Sequence, residues 1–131
     1  MRKFDLLAGA AVAALLLAPV SVLAADPAGE IVTASTHADL ASKASDLAGT
    51  QMHLHHALNC LVGTGGAGYD AKNLNPCANA GGGAIPDTAD AAKKKALEAA
   101  AATAREGLAA ADLATAQKDA ASTATALKAI K

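Results

Sequence analysis

The side chains best equipped for chemistry stand together in one stretch, Gln51-Met52-His53-Leu54-His55-His56-Ala57-Leu58-Asn59-Cys60, within a chain otherwise rich in alanine. Neutral imidazole is the commonest protein ligand for transition-metal ions, and thioether or thiolate sulfur adds affinity for softer ions such as Cu(I). On a helix of 3.6 residues per turn, His53 and His56 are three apart and Met52 and His56 four apart, so each pair can point at one ion. His55 turns to another side and is a substitute ligand. If His37 shares the same rod, it lies about five turns from His55, too far for the two to meet at one ion. The spacing therefore predicts a site for Cu, Zn or Ni built from Met52, His53 and His56, with His55 in reserve. Its shell is incomplete, since closed structural zinc takes four protein ligands.

Both cysteines, Cys60 and Cys77, follow a segment that reads as an export signal, and an exported chain meets oxidising conditions. An even count in that setting predicts a Cys60–Cys77 disulfide, which in the chain-entropy picture stabilises by about 3 kcal/mol. Cys60 is then no thiolate, and the ion depends on His and Met.

Other patterns carry less. Gly63-Thr64-Gly65-Gly66-Ala67-Gly68 matches a dinucleotide-binding string, but a helix precedes it and a long loop follows, where the fingerprint needs a strand and then a helix. The chain has neither HExxH nor GxSxG, so no enzymatic activity is expected. Haem is not expected either, because no CxxCH attachment motif is present and Tyr69 is the sole aromatic residue after Phe4. Lys93 to Lys95 reads as a solvated helix face.

The elements that must position these groups begin after the signal. Met1, Arg2 and Lys3 form a positive start, Leu6 to Val22 an apolar run, and Val22-Leu23-Ala24 a cleavage site, so residues 1–24 read as a signal peptide and the mature protein as periplasmic or secreted. The remainder is about one domain, slightly negative, which argues against nucleic acid or anionic lipid as partner. No later segment is long and apolar enough to span a membrane.

Residues 25–35 carry Pro and Gly without a sustained period and read as an extended lead-in. Leu40, Leu47, Leu54 and Leu61 then recur every seven residues, with Ser35 or Thr36 available as a cap. Gly49 interrupts this stripe without shifting its phase, which predicts one helix over 36–62. Residues 63–87 are dense in Gly, Asn and Pro and read as a loop, with Tyr69 and Leu74 as packing anchors. Helices are predicted over 88–110 and 113–130, the second capped by Asp112, and the short turn between them requires antiparallel neighbours.

The expected fold is all-α: an up-down bundle of three helices in a single domain over 36–131, with a long Gly-rich, disulfide-pinned loop between the first and second. The expected function is non-enzymatic binding of a transition-metal ion by an exported protein. The alternative is a structural or protein-interaction module with no metal role, contacting a partner protein or a second copy of itself.

Overall fold

The computed structural model describes residues 24–130. The signal predicted for residues 1–24 falls, except for Ala24, outside them.

Four long helices and a single turn make up the described chain, with no strand among the described residues: α1 Pro27–Ser42, α2 Leu47–Val62, α3 Ala84–Asp87, α4 Ala91–Ala109 and α5 Leu113–Ala129. Each long helix starts in the same way. The carboxylates of Asp26, Asp46, Asp90 and Asp112 accept hydrogen bonds from the backbone N–H groups of Gly29, Gly49, Lys93 and Thr115, at 2.9, 2.7, 2.8 and 2.9 Å. An aspartate at this position satisfies an orphan donor and complements the positive end of the helix dipole.

The three-helix expectation is corrected at two of these caps. Residues 27–35, expected to be an extended lead-in, form the first half of α1, with Asp26 as cap and Pro27 at the first helical position, where its missing N–H costs nothing. The single helix expected over 36–62 is two helices, broken at Lys43 to Asp46. Lys43 N–H and Ala44 N–H turn back to the carbonyls of Leu40 and Ala41, and Asp46 then restarts the chain as α2. Gly49 lies in the first turn of α2, its N–H held by Asp46. The seven-residue leucine period misled because Leu40, on the other side of the break, is 44% exposed, whereas Leu54 and Leu61 are fully buried.

Successive long helices alternate in direction. At one end of the bundle, the Gln51 amide from the start of α2 donates to the carbonyl of Leu108 near the end of α4, and the Gln117 amide from α5 donates to Ala44 in the α1–α2 turn. At the other end, the start of α1 meets the loop through Asp26 N–H and the carbonyl of Ala80. α1 packs on α2 and α5, and α4 on α5 and α2, so the four helices close a ring. Large side chains concentrate at the end near the loop, where Leu58, Leu61, Leu97 and Leu127 surround the disulfide. Further along, the interior narrows to Ala38, Ala57 and Ala124, then Ala41, Leu54, Ala104 and Ala120. Alanine at these seams lets helices approach toward the short end of the usual range of about 8 to 10 Å.

The connection without helix runs over 63–83, shorter than the expected 63–87 because Ala84–Asp87 form α3, and it is held at several points besides the hydrogen bonds of Asp26 and Arg105 to the carbonyls of Ala80 and Ala67. Cys60 and Cys77 are disulfide-bonded, with Cα atoms 5.1 Å apart. Asn59, fully buried, accepts from Asp70 N–H at 2.9 Å and donates its amide to the carbonyl of Asp70 at 3.0 Å, with those of Asn73 and Leu74 close by. Gly63, at φ +67°, lies so close to Gly82 and Gly83 that a Cβ there would collide with the Gly82 carbonyl, which is why the chain crossing is made of glycine. Tyr69 packs on the core as expected, but Leu74 is 64% exposed and anchors nothing.

A further tie is Glu30 of α1, fully buried, whose Oε1 accepts from Gly83 N–H at 3.0 Å. Its Oε2 is buried without a hydrogen-bond partner. Burial pushes the Glu30 carboxyl from 4.5 up to about 7; the Gly83 hydrogen bond opposes this, and the charges of Asp87 and Asp26 add to it. A protonated carboxyl avoids the cost of an unpaired buried charge.

Candidate metal centre

The break at Lys43 to Asp46 decides the geometry of the site. Because α1 folds back on α2, His37, five residues before Ser42, stands opposite His53, six residues beyond Leu47. At 1.5 Å per residue the two positions are about 8 and 9 Å from their helix ends at the turn, the same height on the hairpin. His56 follows His53 by nearly one turn and faces the same way.

The three rings converge. Nδ1 of His37 lies 3.3 Å from Nδ1 of His53. The ring centroids of His37 and His53 are 5.6 Å apart, those of His37 and His56 5.0 Å, and those of His53 and His56 5.7 Å. One nitrogen from each residue can be chosen so that all lie within 4.8 Å of one another. For a tetrahedral ion with metal–nitrogen bonds of about 2.0 to 2.1 Å, neighbouring donors sit about 3.3 Å apart. The His37–His53 pair already has that spacing, and with all three donors inside 4.8 Å the set closes around an ion by side-chain adjustment alone.

Electrostatics favour ligand-competent rings. Desolvation, reinforced by the neighbouring imidazoles of His56 and His53, holds His37 below its usual value of 6.5. His56 is lowered for the same first reason, with His53 and His55 adding to it. Both are therefore neutral at neutral pH, with lone pairs available. Nδ1 of His56 is buried and has no hydrogen-bond partner, a polar atom left without the compensation that buried groups ordinarily find.

The sequence-predicted ligands separate. His53 and His56 come together with His37, which the spacing argument set aside because it placed all the histidines on one rod. Met52 is 43% exposed, one turn before His56. His55 points elsewhere: its Nδ1 is 3.6 Å from an Asp70 oxygen, longer than a hydrogen bond, so His55 faces the loop. The Asp70 carboxyl is held low by the Lys72 N–H and the Asn73 amide, with His55 contributing less. The missed signal lay in Asp26-Pro27 and Asp46-Leu47, cap pairs that start a helix on each side of the turn and so force the hairpin.

No protein-family description, curated protein or solved structure matches this chain. The chemistry must be read from the site itself. The disulfide is consistent with an oxidising compartment, and no helix among the described residues is long and apolar enough to cross a membrane.

Proposed function

We propose that this is an exported, non-enzymatic metal-binding protein that holds one Zn, Cu or Ni ion between α1 and α2 on His37, His53 and His56. The single observation that supports it is the convergence of three imidazole donors from two helices to within 4.8 Å. An all-nitrogen donor set suits Zn(II), Cu(II) and Ni(II), and with both cysteines in the bridge no thiolate biases the site toward softer ions. Met52 is a soft donor within one turn of His56, of use only to Cu(I). Binding is favoured over catalysis because, among the described residues, no Asp or Glu joins the three imidazoles where it could act as a base at the ion.

The test is calorimetric titration of metal-free protein at pH 7.5. One ion per chain should bind with micromolar affinity or better. His37→Ala should weaken binding by more than the roughly tenfold that even an outer-shell partner contributes, and His55→Ala should leave it unchanged. Affinity no better than millimolar, or indifference to His37→Ala together with His53→Ala, would refute the reading and favour a structural or protein-interaction role.

A further inference from the structure

Three donors leave a four-coordinate ion one ligand short, and what surrounds the rings bears on where the fourth comes from. Among the described residues, the group of His, Cys, Asp and Glu side chains able to meet at this point comprises His37, His53 and His56 and no more. Each other nearby donor is committed or turned away. His55 is turned toward Asp70 and away from the three rings, although its buried Nδ1 has no hydrogen-bond partner; Cys60 is bonded to Cys77, and Asp39 is held by two lysines. His37 and His53 are themselves only partly buried, so the ion would sit at the surface of the hairpin and not inside the bundle.

The rim is apolar. Leu40, 44% exposed, lies three residues beyond His37, and Met52, 43% exposed, lies four residues before His56. Both are displaced from the rings by about one turn toward the hairpin bend and fall on the ring-bearing side of their helices. A thioether is a poor ligand for Zn(II) or Co(II), so Met52 would not complete the shell of these ions.

Resting on the metal-binding reading above, we propose that the ion keeps its fourth position for a single monodentate donor from outside the chain, and that the Leu40 and Met52 rim favours a planar, weakly hydrated donor such as imidazole over a small anion. Exchange is a simple substitution. A bound water leaves, the incoming lone pair forms the new bond, and no electron changes hands. Such a position allows an acceptor bearing a histidine to join the ion before the protein's own ligands let go, which suits a carrier better than a structural site.

Co(II) provides the test, since its visible bands report coordination number and ligand exchange at a site built for Zn(II). The metal-free protein is loaded with one equivalent of Co(II) and titrated separately with imidazole and with azide. The expected result is an intense four-coordinate spectrum that shifts with each donor along a one-site curve, with imidazole binding more tightly. Leu40→Asn combined with Met52→Asn should reduce imidazole affinity severalfold and leave azide affinity unchanged. Co(II) that binds with a spectrum unmoved by either donor would overturn the open position while sparing the three-histidine site. A spectrum that changes on His55→Ala before any donor is added would show that the chain closes its own shell, with the same consequence. Failure of Co(II), Zn(II), Cu(II) and Ni(II) alike to bind would overturn both readings together.

Discussion

Replacing Glu30 by glutamine should change how the stability of this protein depends on pH. The carboxyl is fully buried, with one oxygen bound to Gly83 N–H and the other unpartnered, and it is raised from 4.5 to about 7. At 1.36 kcal/mol per unit that shift corresponds to about 3 kcal/mol, which we reduce to about 2 because exposed loop residues Gly81 and Gly82 bring water close by. The sign follows from proton uptake. In the unfolded chain Glu30 ionises near 4.5, and in the folded chain near 7, so folding binds a proton in between. Its contribution is complete below pH 4.5, drains as pH rises through this window and is lost above about 7. His37 and His56 act in the opposite sense: held below 6.5, they contribute stability above that pH that disappears as pH falls. The two trends oppose each other, so the raw pH profile of the wild type is uninformative and the difference between wild type and Glu30→Gln isolates the carboxyl. The assay is urea unfolding of metal-free protein at pH 5 and pH 8.5, followed by helical circular dichroism. Between these conditions the difference should move by about 2 kcal/mol in favour of glutamine, a relative midpoint shift of about 1 M urea. A difference that stays constant with pH would refute the assignment of a neutral carboxyl at this position.

Two further outcomes test the loop. Asn59→Ala removes the side chain that binds both the N–H and the carbonyl of Asp70 and leaves those groups unpaired, so stability should fall by about 2 to 3 kcal/mol, with faster proteolysis within 63–80; an unchanged melting temperature would show that the disulfide alone holds the loop. Reduction of the Cys60–Cys77 bridge, which spans 17 residues, should cost about 3 kcal/mol and lower the melting temperature by about 15 °C, while retained stability in reductant would place the loop's anchoring on Asn59 and Glu30 instead.

Much of the helical character was legible in the sequence, because alanine-rich stretches flanked by Asp caps and glycine leave few alternatives to helix. The apolar faces of the last two helices are readable from their spacing: Leu97, Ala101, Ala104, Ala116, Ala120, Ala124 and Leu127 are buried, while Leu108 and Leu113 on the same faces are only partly so. The α1–α2 turn was not. Leu40 and Leu47 preserve a seven-residue phase across it by coincidence, and phase argues for continuity only when both residues face the same core. The candidate site inherited that error. His53 and His56 were legible as neighbours on one helix, but His37 could be recognised only once the chain was known to reverse between them. Leu74 failed as an anchor for a related reason: in a loop fixed by Asn59, the disulfide and crossing glycines, a lone leucine is not required to point inward.

The uneven interior also bears on how quickly an ion could depart. The buried apolar side chains of α1 are Ala34, Ala38 and Ala41, whereas α2 supplies Leu54, Leu58 and Leu61 and is bolted to the loop through Cys60. Regions with little apolar anchorage open at lower free energy than the rest of a fold. On the α1 side of the site that anchorage is thinner than on the α2 side, so an opening of the hairpin would carry His37 away while His53 and His56 stay behind as a two-pronged remnant. Dissociation would then be timed by the parting of two helices, and because Ala38 is fully buried at a close seam, a larger side chain there would push the hairpin apart and shorten the residence of the cargo without touching a ligand.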